Sequence, residues 1–378
     1  MRLDAFTKRV MRKNKSNQSR LPLTISAQYG LVDQITFFNK VVASTDLSNY
    51  YLLKKGEFAY NKSYSSDYPW GAIKRLDNYD QGALSSLYIC FAPQDNVVSD
   101  FILQYFESPK WHKGISEIAV EGARNHGLLN VAVQDFFHTY HYVPKDKKEQ
   151  IKISKLLMLL DERIATQNKI IEDLKKLKSA IIENHYNQAE KQTASIADLG
   201  EPFSVGNLAK DDLTETGMPC VVYGELFTTY GETISQIVSH TNKTTGMILS
   251  KKGDLLFPSS TTVDAMSLIA PSVINVDGVI LGGDMFGIHI NHNYNAQYLS
   301  YYFNHIAKRQ LAKFAKGSTI IHLHYADIEK AKLLLPSLEE QNRMAKCIMS
   351  LDAKINIESF FISLLNSQKT HLLRQMFI

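Results

Sequence analysis

The sequence predicts an α+β fold: two similar α/β globular units separated by a long antiparallel two-helix coiled coil, related by a pseudo-twofold internal repeat. Three observations predict it. Residues 143–164, VPKDKKEQIKISKLLMLLDERI, return at 335–355 as LPSLEEQNRMAKCIMSLDAKI, with proline, Glu-Gln, a basic residue, Leu-Asp and Ile in the same order. Both blocks open long stretches that lack glycine and proline and carry apolar residues at alternating spacings of three and four, the pattern of a heptad helix. Gln150 and Gln341 stand 191 positions apart, about half of the 378 residues, so the chain is two copies of one unit.

The repeat divides the chain into a globular unit over 1–142, a helical spacer over 143–191, a second globular unit over 192–334 and a second spacer over 335–378. In the first unit, strands are expected at Phe58–Tyr60 and Leu87–Phe91, a turn at Asp77-Asn78 and a helix over Ser99–Phe106. In the second, strands are expected at Leu255–Phe257 and Ile288–Ile290, turns at Asp277-Gly278 and Gly282-Gly283, and a helix over Asn295–Phe314. Smaller fragments also recur. Lys54-Lys55-Gly56-Glu57 returns as Lys251-Lys252-Gly253-Asp254, Phe101–Phe106 (FILQYF) as Tyr298–Phe303 (YLSYYF), and Gly122, Asp135 and Phe136 as Gly317, Asp327 and Ile328.

The first heptad seam runs Leu157, Leu160, Ile164, Gln167, Ile171, Leu174, Lys178, Ile181 and His185. The second runs Ile348, Leu351, Ile355, Glu358, Ile362, Leu365, Lys369, Leu372 and Met376, with polar residues at the same fourth and seventh places. A buried charge needs a partner. The expected antiparallel register therefore sets Lys178 near Glu358 and Gln167 near Lys369. A helix of about 38 residues spans ~57 Å. Such a rod suits two modules that read separate patches of one long object, and DNA is the obvious one.

Composition bounds the class. With 42 Lys+Arg, 38 Asp+Glu, 44% hydrophobic and 10% aromatic residues, the chain is that of an ordinary globular protein. No apolar run approaches the ~18 residues of a membrane span, and MRLDAFTKRVMRKNK lacks the apolar core of a secretory signal. Cys90, Cys220 and Cys347 lie far apart with no C-x-x-C, so neither a disulfide framework nor a cysteine zinc site is expected. A soluble, cytoplasmic protein with no membrane partner is expected. Residues 1–142 carry 16 basic and 13 acidic side chains, and 192–334 carry 10 and 13, so neither unit has a broad basic face. The first twenty residues hold seven Lys/Arg against one Asp. There, Arg12, Lys13 and Lys15 are candidates for an arm that contacts phosphates.

The repeated Pro…Glu-Gln…Leu-Asp…Ile blocks, Pro144–Ile164 and Pro336–Ile355, each opening a long helix after a globular segment, resemble the two conserved regions of the specificity subunit of Type I restriction-modification systems. Ser26–Phe91, with SAQYGLVDQ, LKKGEFAYNKS and PWGAIKRL, resembles a target-recognition domain of that family. The resemblance implies a subunit without catalytic residues, whose two recognition domains each read half of an interrupted double-stranded DNA target while the helices set the gap. It also implies docking of two methyltransferase (modification) subunits that use S-adenosylmethionine, joined by restriction motor-nuclease subunits that use ATP and Mg²⁺. No cofactor is expected in this chain.

The residues point the same way. There is no G-x-x-x-x-G-K-[ST] loop for ATP, no Asn-Pro-Pro-aromatic motif of an adenine methyltransferase, and neither G-x-S-x-G nor H-E-x-x-H. His322-Leu323-His324 places two imidazoles on one face of a strand without a third ligand nearby, so a metal site is not expected. Base edges are read by Arg, Lys, Asn, Gln, Ser and Thr. The first unit offers Asn61, Lys62, Ser63, Tyr64, Lys74, Arg75, Arg124, Asn125 and His126. The second offers Tyr223, Ser259, Ser260, Thr261, Thr262, Lys316, Ser318, Thr319 and His322. The positions following Gly122 and Gly317 rank first, because they occupy one place in both copies yet differ in sequence. Alternatives are a self-contained DNA-cleaving enzyme with two DNA-binding arms, or a stand-alone DNA-binding regulator.

Overall fold

The computed structural model describes residues 1–40, 43–119 and 127–377. The chain forms two compact units: Met1–Asn168 with Phe360–Ile378, and Lys169–Ser359. Each unit therefore takes in one globular segment and part of both long helices. No helix among the described residues is long and apolar enough to cross a membrane.

In unit 1 the strands are β1 (Thr7–Arg9), β2 (Pro22–Ser26), β3 (Gly30–Asp33), β4 (Tyr51–Lys54), β5 (Phe58–Asn61), β6 (Ala72–Arg75), β7 (Gln81–Leu84) and β8 (Ile89–Pro93). They form two sheets, in the orders β1-β8-β5-β6 and β3-β2-β7-β4, antiparallel except where β2 meets β7. Its short helices are α1 (Gln34–Phe38), α2 (Ser99–Glu107), α3 (His112–Ile118) and α4 (Val133–His138). The core between sheet and helices is aromatic: Phe58 stacks on Phe91, and Tyr60 on Phe136. Alternation along β5 points Phe58 and Tyr60 to this side and Ala59 to the second cluster, around Leu23 and Leu84.

Unit 2 repeats this plan. One sheet runs β10 (Gly200–Ser204), β20 (Met285–Ile290), β16 (Asp254–Pro258), β18 (Ser272–Ile274) and β13 (Thr233–Ile234). A second runs β11 (Leu213–Thr214), β14 (Ser239–Thr241), β12 (Met218–Val222), β19 (Ile280–Gly282) and β15 (Ile248–Leu249). Two ribbons complete it: β17 (Ser260–Thr261) with β21 (Ile321–His322), and β9 (Gln192–Ser195) with β22 (Lys332–Leu335). Strand for strand, β10-β20-β16-β18 matches β1-β8-β5-β6. Likewise β14-β12-β19-β15 matches β3-β2-β7-β4, down to the parallel contact, here β12 with β19. The repeated Lys-Lys-Gly-acid tetrapeptides are matching turns before β5 and β16. Gly56 and Gly253 hold φ of 85° and 93°, and the acidic side chain caps the first lysine's N–H at 2.7 and 2.8 Å.

The helices of unit 2 are α6 (Glu225–Thr228), α7 (Ala265–Leu268), α8 (Ala296–His305), α9 (Lys308–Leu311) and α10 (Tyr325–Ile328). The single helix expected over Asn295–Phe314 is broken. Ile306 and Ala307 both donate to the Tyr302 carbonyl, which closes α8 before α9 begins at Lys308. The break lets Leu311 enter the core that already takes Tyr302 and Phe303. The expected turn at Gly282-Gly283 begins one residue later, because Gly282 is paired in β19, where a Cβ would meet Leu208 at 2.3 Å.

The long helices are α5 (Lys147–Gln188, 42 residues) and α11 (Leu338–Gln375, 38 residues). Their repeated glutamines are 1% exposed and do the same work in both units. Gln150 accepts from the N–H of Val98, at the start of α2, and donates to the Pro144 carbonyl, each at 2.7 Å. Gln341 accepts from the N–H of Asn295, at the start of α8, at 3.0 Å and donates to the Pro336 carbonyl at 2.9 Å. The Pro…Glu-Gln signature is thus a joint between each long helix and the globular helix beside it.

Within each unit the α5 and α11 stretches run antiparallel. In unit 1, Ile153 and Leu157 share a core with Leu373 and Phe377, Asp161 receives Lys369, and the Arg163 guanidinium lies 5.1 Å over the Phe361 ring. In unit 2, Lys178 donates to Asp352 at 2.6 Å and His185 lies 2.9 Å from Glu340. The expected heptad positions are the covered ones in both helices, with Gln167 and Lys178 buried. Lys178 meets Asp352, and Lys369 meets Asp161, two aspartates that the expected register did not include. Glu358 is paired with Lys354 on its own helix. The reason is geometric: the two aspartates follow the seam leucines Leu160 and Leu351, at the seam's edge. A lysine reaching outward along its alkyl stem meets them there while the carboxylates keep part of their hydration.

Candidate nucleic-acid interface

Both units extend a central strand into a short ribbon, and the ribbon gathers most of the candidate readers. In unit 2, β16 runs through Ser259 into β17, where Ser260 faces His322 and Thr261 faces Ile321. In unit 1, β5 runs on to Ser63, which bridges to Leu128 at the equivalent place. The N–H of Tyr64 donates to Gly127 at 3.0 Å, and the N–H of Leu129 donates to Lys62 at 2.9 Å. Asn61 caps the turn by accepting from the N–H of Ser63 at 3.0 Å. Two sequence segments far apart in each copy, 61–64 with 127–129 and 259–262 with 316–322, are therefore joined. Arg124, Asn125 and His126 lie outside the described residues.

The ribbon of unit 2 ends in a hairpin closed by reciprocal main-chain bonds between Lys316 and His322, at 2.9 and 2.7 Å. Gly317 sits at φ 116°, where a Cβ would stand 2.0 Å from the Ile320 carbonyl oxygen, so only glycine fits. Ser318, Thr319 and Ile320 form the exposed tip. Lys316 bridges to Asp327 beside it, and that lysine, with the N–H of His324, holds the Asp327 carboxyl below its ordinary range. The His322 and His324 rings stack 6.1 Å apart, and no group of three metal-ligating side chains occurs among the described residues.

Beside the ribbon lies a cleft of about 760 Å³ lined by Tyr223, Ser260, Thr261 and Thr262 from the expected set. Sequence reasoning missed Thr228, Val263, Lys308 and Glu232, which also line it. Val263 is 73% exposed and Ile320 50%, so apolar groups stand among hydroxyls. That mixture suits a major-groove edge, where hydroxyls bond to base donors and acceptors and apolar atoms meet thymine methyls. Lys308 was hidden because α9 was expected to continue α8. Ser259 departs from expectation. It is 3% exposed, its N–H donates to Asp284 and its carbonyl accepts from Leu323, so it is a packing residue.

The remaining candidates are engaged within unit 1. Lys74 bridges to Glu107 at 2.6 Å, and Arg75 to Asp77 and Asp100 at 2.7 Å each, tying β6 to α2. The basic N-terminal stretch is not a free arm. Leu52 donates to the Arg12 carbonyl and Asn14 to that of Tyr50, so the segment is laid against β4, satisfying its main chain there. Arg12 forks onto Glu57 at 2.7 and 2.9 Å, and Lys13 donates to the Asn49 carbonyl while lying 4.5 Å over the Tyr51 ring. Lys15 is exposed.

Behind the ribbon-bearing sheet of each unit, an aspartate of the long helix receives one bond from the globular helix and one from the other long helix. In unit 1, Gln104 of α2 donates to Asp161 at 2.9 Å, and Lys369 donates to the second oxygen. In unit 2, Tyr301 of α8 donates to Asp352 at 2.8 Å, and Lys178 to the second oxygen at 2.6 Å. Burial, with the negative charge of Asp352 beside it, pushes the Tyr301 hydroxyl well above its ordinary range, so it acts as a donor throughout the accessible pH range.

Comparison with known proteins fits this geometry. The family described as Type I restriction modification DNA specificity domain matches residues 189–363. The MjaVIII Type I restriction enzyme specificity subunit of Methanocaldococcus jannaschii is 24% identical over 304 residues, covering 74% of this chain and 69% of that subunit. Among solved structures, a chain from a type I R-M system studied for complex assembly and conformational transition aligns over all of this chain and 96% of its own length. Its TM-score is 0.59 at 13% identity. The S subunit of the Type I restriction-modification system of M. genitalium aligns over all of this chain and 95% of its own, with TM-score 0.58 at 15% identity.

Proposed function

The chain belongs to the specificity-subunit family of Type I restriction-modification systems, and from that premise we propose how it selects DNA for partner subunits to act on. It is a DNA sequence-recognition subunit. Each ribbon reads one half of a two-part double-stranded target, and the antiparallel helices fix the gap. The observation that carries this is the recurrence of one ribbon at one place in two copies with different side chains. Asn61, Lys62, Ser63 and Tyr64 stand in one; Ser260, Thr261, Ser318 and Thr319 stand in the other. A constant main chain with changed hydroxyls, amides and charges is what distinct half-sites require, since side chains rather than backbone discriminate base edges.

The chemistry belongs to partners in the cytoplasm. Two methyltransferase subunits loaded with S-adenosylmethionine would modify adenines in the chosen site. Motor-nuclease subunits using ATP and Mg²⁺ would cut unmodified DNA. The chain itself binds none of these cofactors. Co-expression with the partner methyltransferase and mapping of modified adenines across the host genome tests the reading: the expected result is one two-part motif with a fixed gap. The purified chain incubated alone with DNA, S-adenosylmethionine and Mg²⁺ should neither methylate nor cleave. Cleavage by the lone chain would favour a self-contained nuclease instead.

A further inference from the structure

The cleft of unit 2 has one carboxylate in its wall, Glu232, and one cation, Lys308. A carboxylate facing DNA repels phosphates unless it is neutralised. Here it is turned inward and held. Lys178 of α5 donates to one Glu232 oxygen at 2.6 Å, and His305 of α8 meets the other at 2.7 Å. The same lysine donates to Asp352 of α11 and lies 4.7 Å over the Tyr301 ring. The Glu232 carbonyl receives the Ser300 hydroxyl of α8 at 2.7 Å. One residue of the cleft wall is thus bonded to α8 directly and, through Lys178, to both long helices. Burial alone would raise the Glu232 carboxyl, but the bond from His305 and the charge of Lys178 outweigh it and bring it down to about 2.

Unit 1 offers a built-in contrast. Lys369, the repeat equivalent of Lys178, meets Asp161, which Gln104 also reaches. The strand that follows Glu232, β13, is the addition at the edge of the unit 2 sheet, and among the described residues the four-stranded sheet of unit 1 has no equivalent. The link from wall to helices is therefore a property of the second unit.

We propose that Glu232 is a positioning residue for base selection by unit 2: clamped by Lys178 and His305, it locks the cleft wall onto the long helices and withholds its charge from DNA phosphates. This rests on the DNA-reading function above. Glu232 touches no base; it holds the cleft wall that it shares with Tyr223, Thr228 and Thr261.

The test uses the full chain co-expressed with its methyltransferase partner, with modified adenines mapped in wild type, Glu232→Ala, Glu232→Gln and Glu232→Asp. In Glu232→Ala, sites with one mismatch in the second half-site should gain about tenfold in methylation, with the first half-site as strict as in wild type. Glu232→Asp, which keeps the charge, should restore much of the discrimination, and the isosteric Glu232→Gln keeps the test alive should the alanine variant not fold. A fall in total methylation with the motif unchanged would mark Glu232 as merely structural and overturn the proposal. So would loosening of the first half-site. Failure of the wild type to give a two-part motif would overturn the functional reading itself.

Discussion

Lys178 lies between Glu232 and Asp352, 2.6 Å from a carboxylate oxygen of each, and its own side chain is 7% exposed. One cation here serves two anions, so it is worth more than an ordinary helix-surface pair. Lys178→Met would leave both carboxylates with too few partners and should destabilise unit 2 by about 3 kcal/mol. Lys369→Met should cost about 1 kcal/mol, because Asp161 is 38% exposed and keeps Gln104. Denaturant titration of both variants measures the difference, and hydrogen exchange locates the loss around α8 in the first.

Gln150→Ala and Gln341→Ala each strand a main-chain N–H and a carbonyl at a buried joint. Each should cost about 2 kcal/mol. Exchange of the Val98 and Asn295 amides, respectively, should accelerate, and equal effects at the two joints would show that they are energetically as well as geometrically alike.

Acid should weaken the two units in sequence. His141 is buried between the Tyr105 hydroxyl and Thr139; burial, then the N-terminal ammonium, brings it from 6.5 down to about 4. The unfolded chain thus takes up a proton that the folded chain refuses. Stability is full above pH 6.5 and falls by up to about 3 kcal/mol as pH drops to 4. Glu232, lowered from 4.5 to about 2, contributes stability above pH 4.5 that is lost as pH falls toward 2. Exchange at pH 5 against pH 7 should show unit 1 opening first, and His141→Gln should flatten that limb.

Gly317→Ala should reshape the hairpin tip, because the added Cβ collides with the Ile320 carbonyl at a φ that disfavours it. Methylation should drop about tenfold at sites defined by the second half-site contacts. Gly56→Ala, with φ 85° but open space around it, should cost about 1 kcal/mol of stability and leave the motif intact. Motif mapping and thermal melts separate the two.

Much of this was legible because the repeat carries it. The glutamine joints, the Lys-Lys-Gly-acid turns and the aromatic helices α2 and α8 lie where the duplicated fragments put them. Partnerships were less legible. Heptad reasoning considered the seam alone, so it matched Lys178 to Glu358 and overlooked aspartates one position outside the seam. Charge counting read Arg12 and Lys13 as an arm, although strand pairing with β4 had already claimed their main chain. The cleft was invisible because three features that build it are absent from any local pattern: the break after α8, the added β13, and the meeting of residues 260–261 with 321–322.

The glutamine joints have an evolutionary consequence. Both Gln150 and Gln341 grip only main-chain atoms, the N–H of residue 98 or 295 and a proline carbonyl, so the coupling recognises a backbone shape and is indifferent to the side chains mounted beyond it. A foreign globular segment with the same helix start would therefore keep both glutamine grips, and the side chains it must still match to the helices are those that meet Asp161, Asp352 and Lys178.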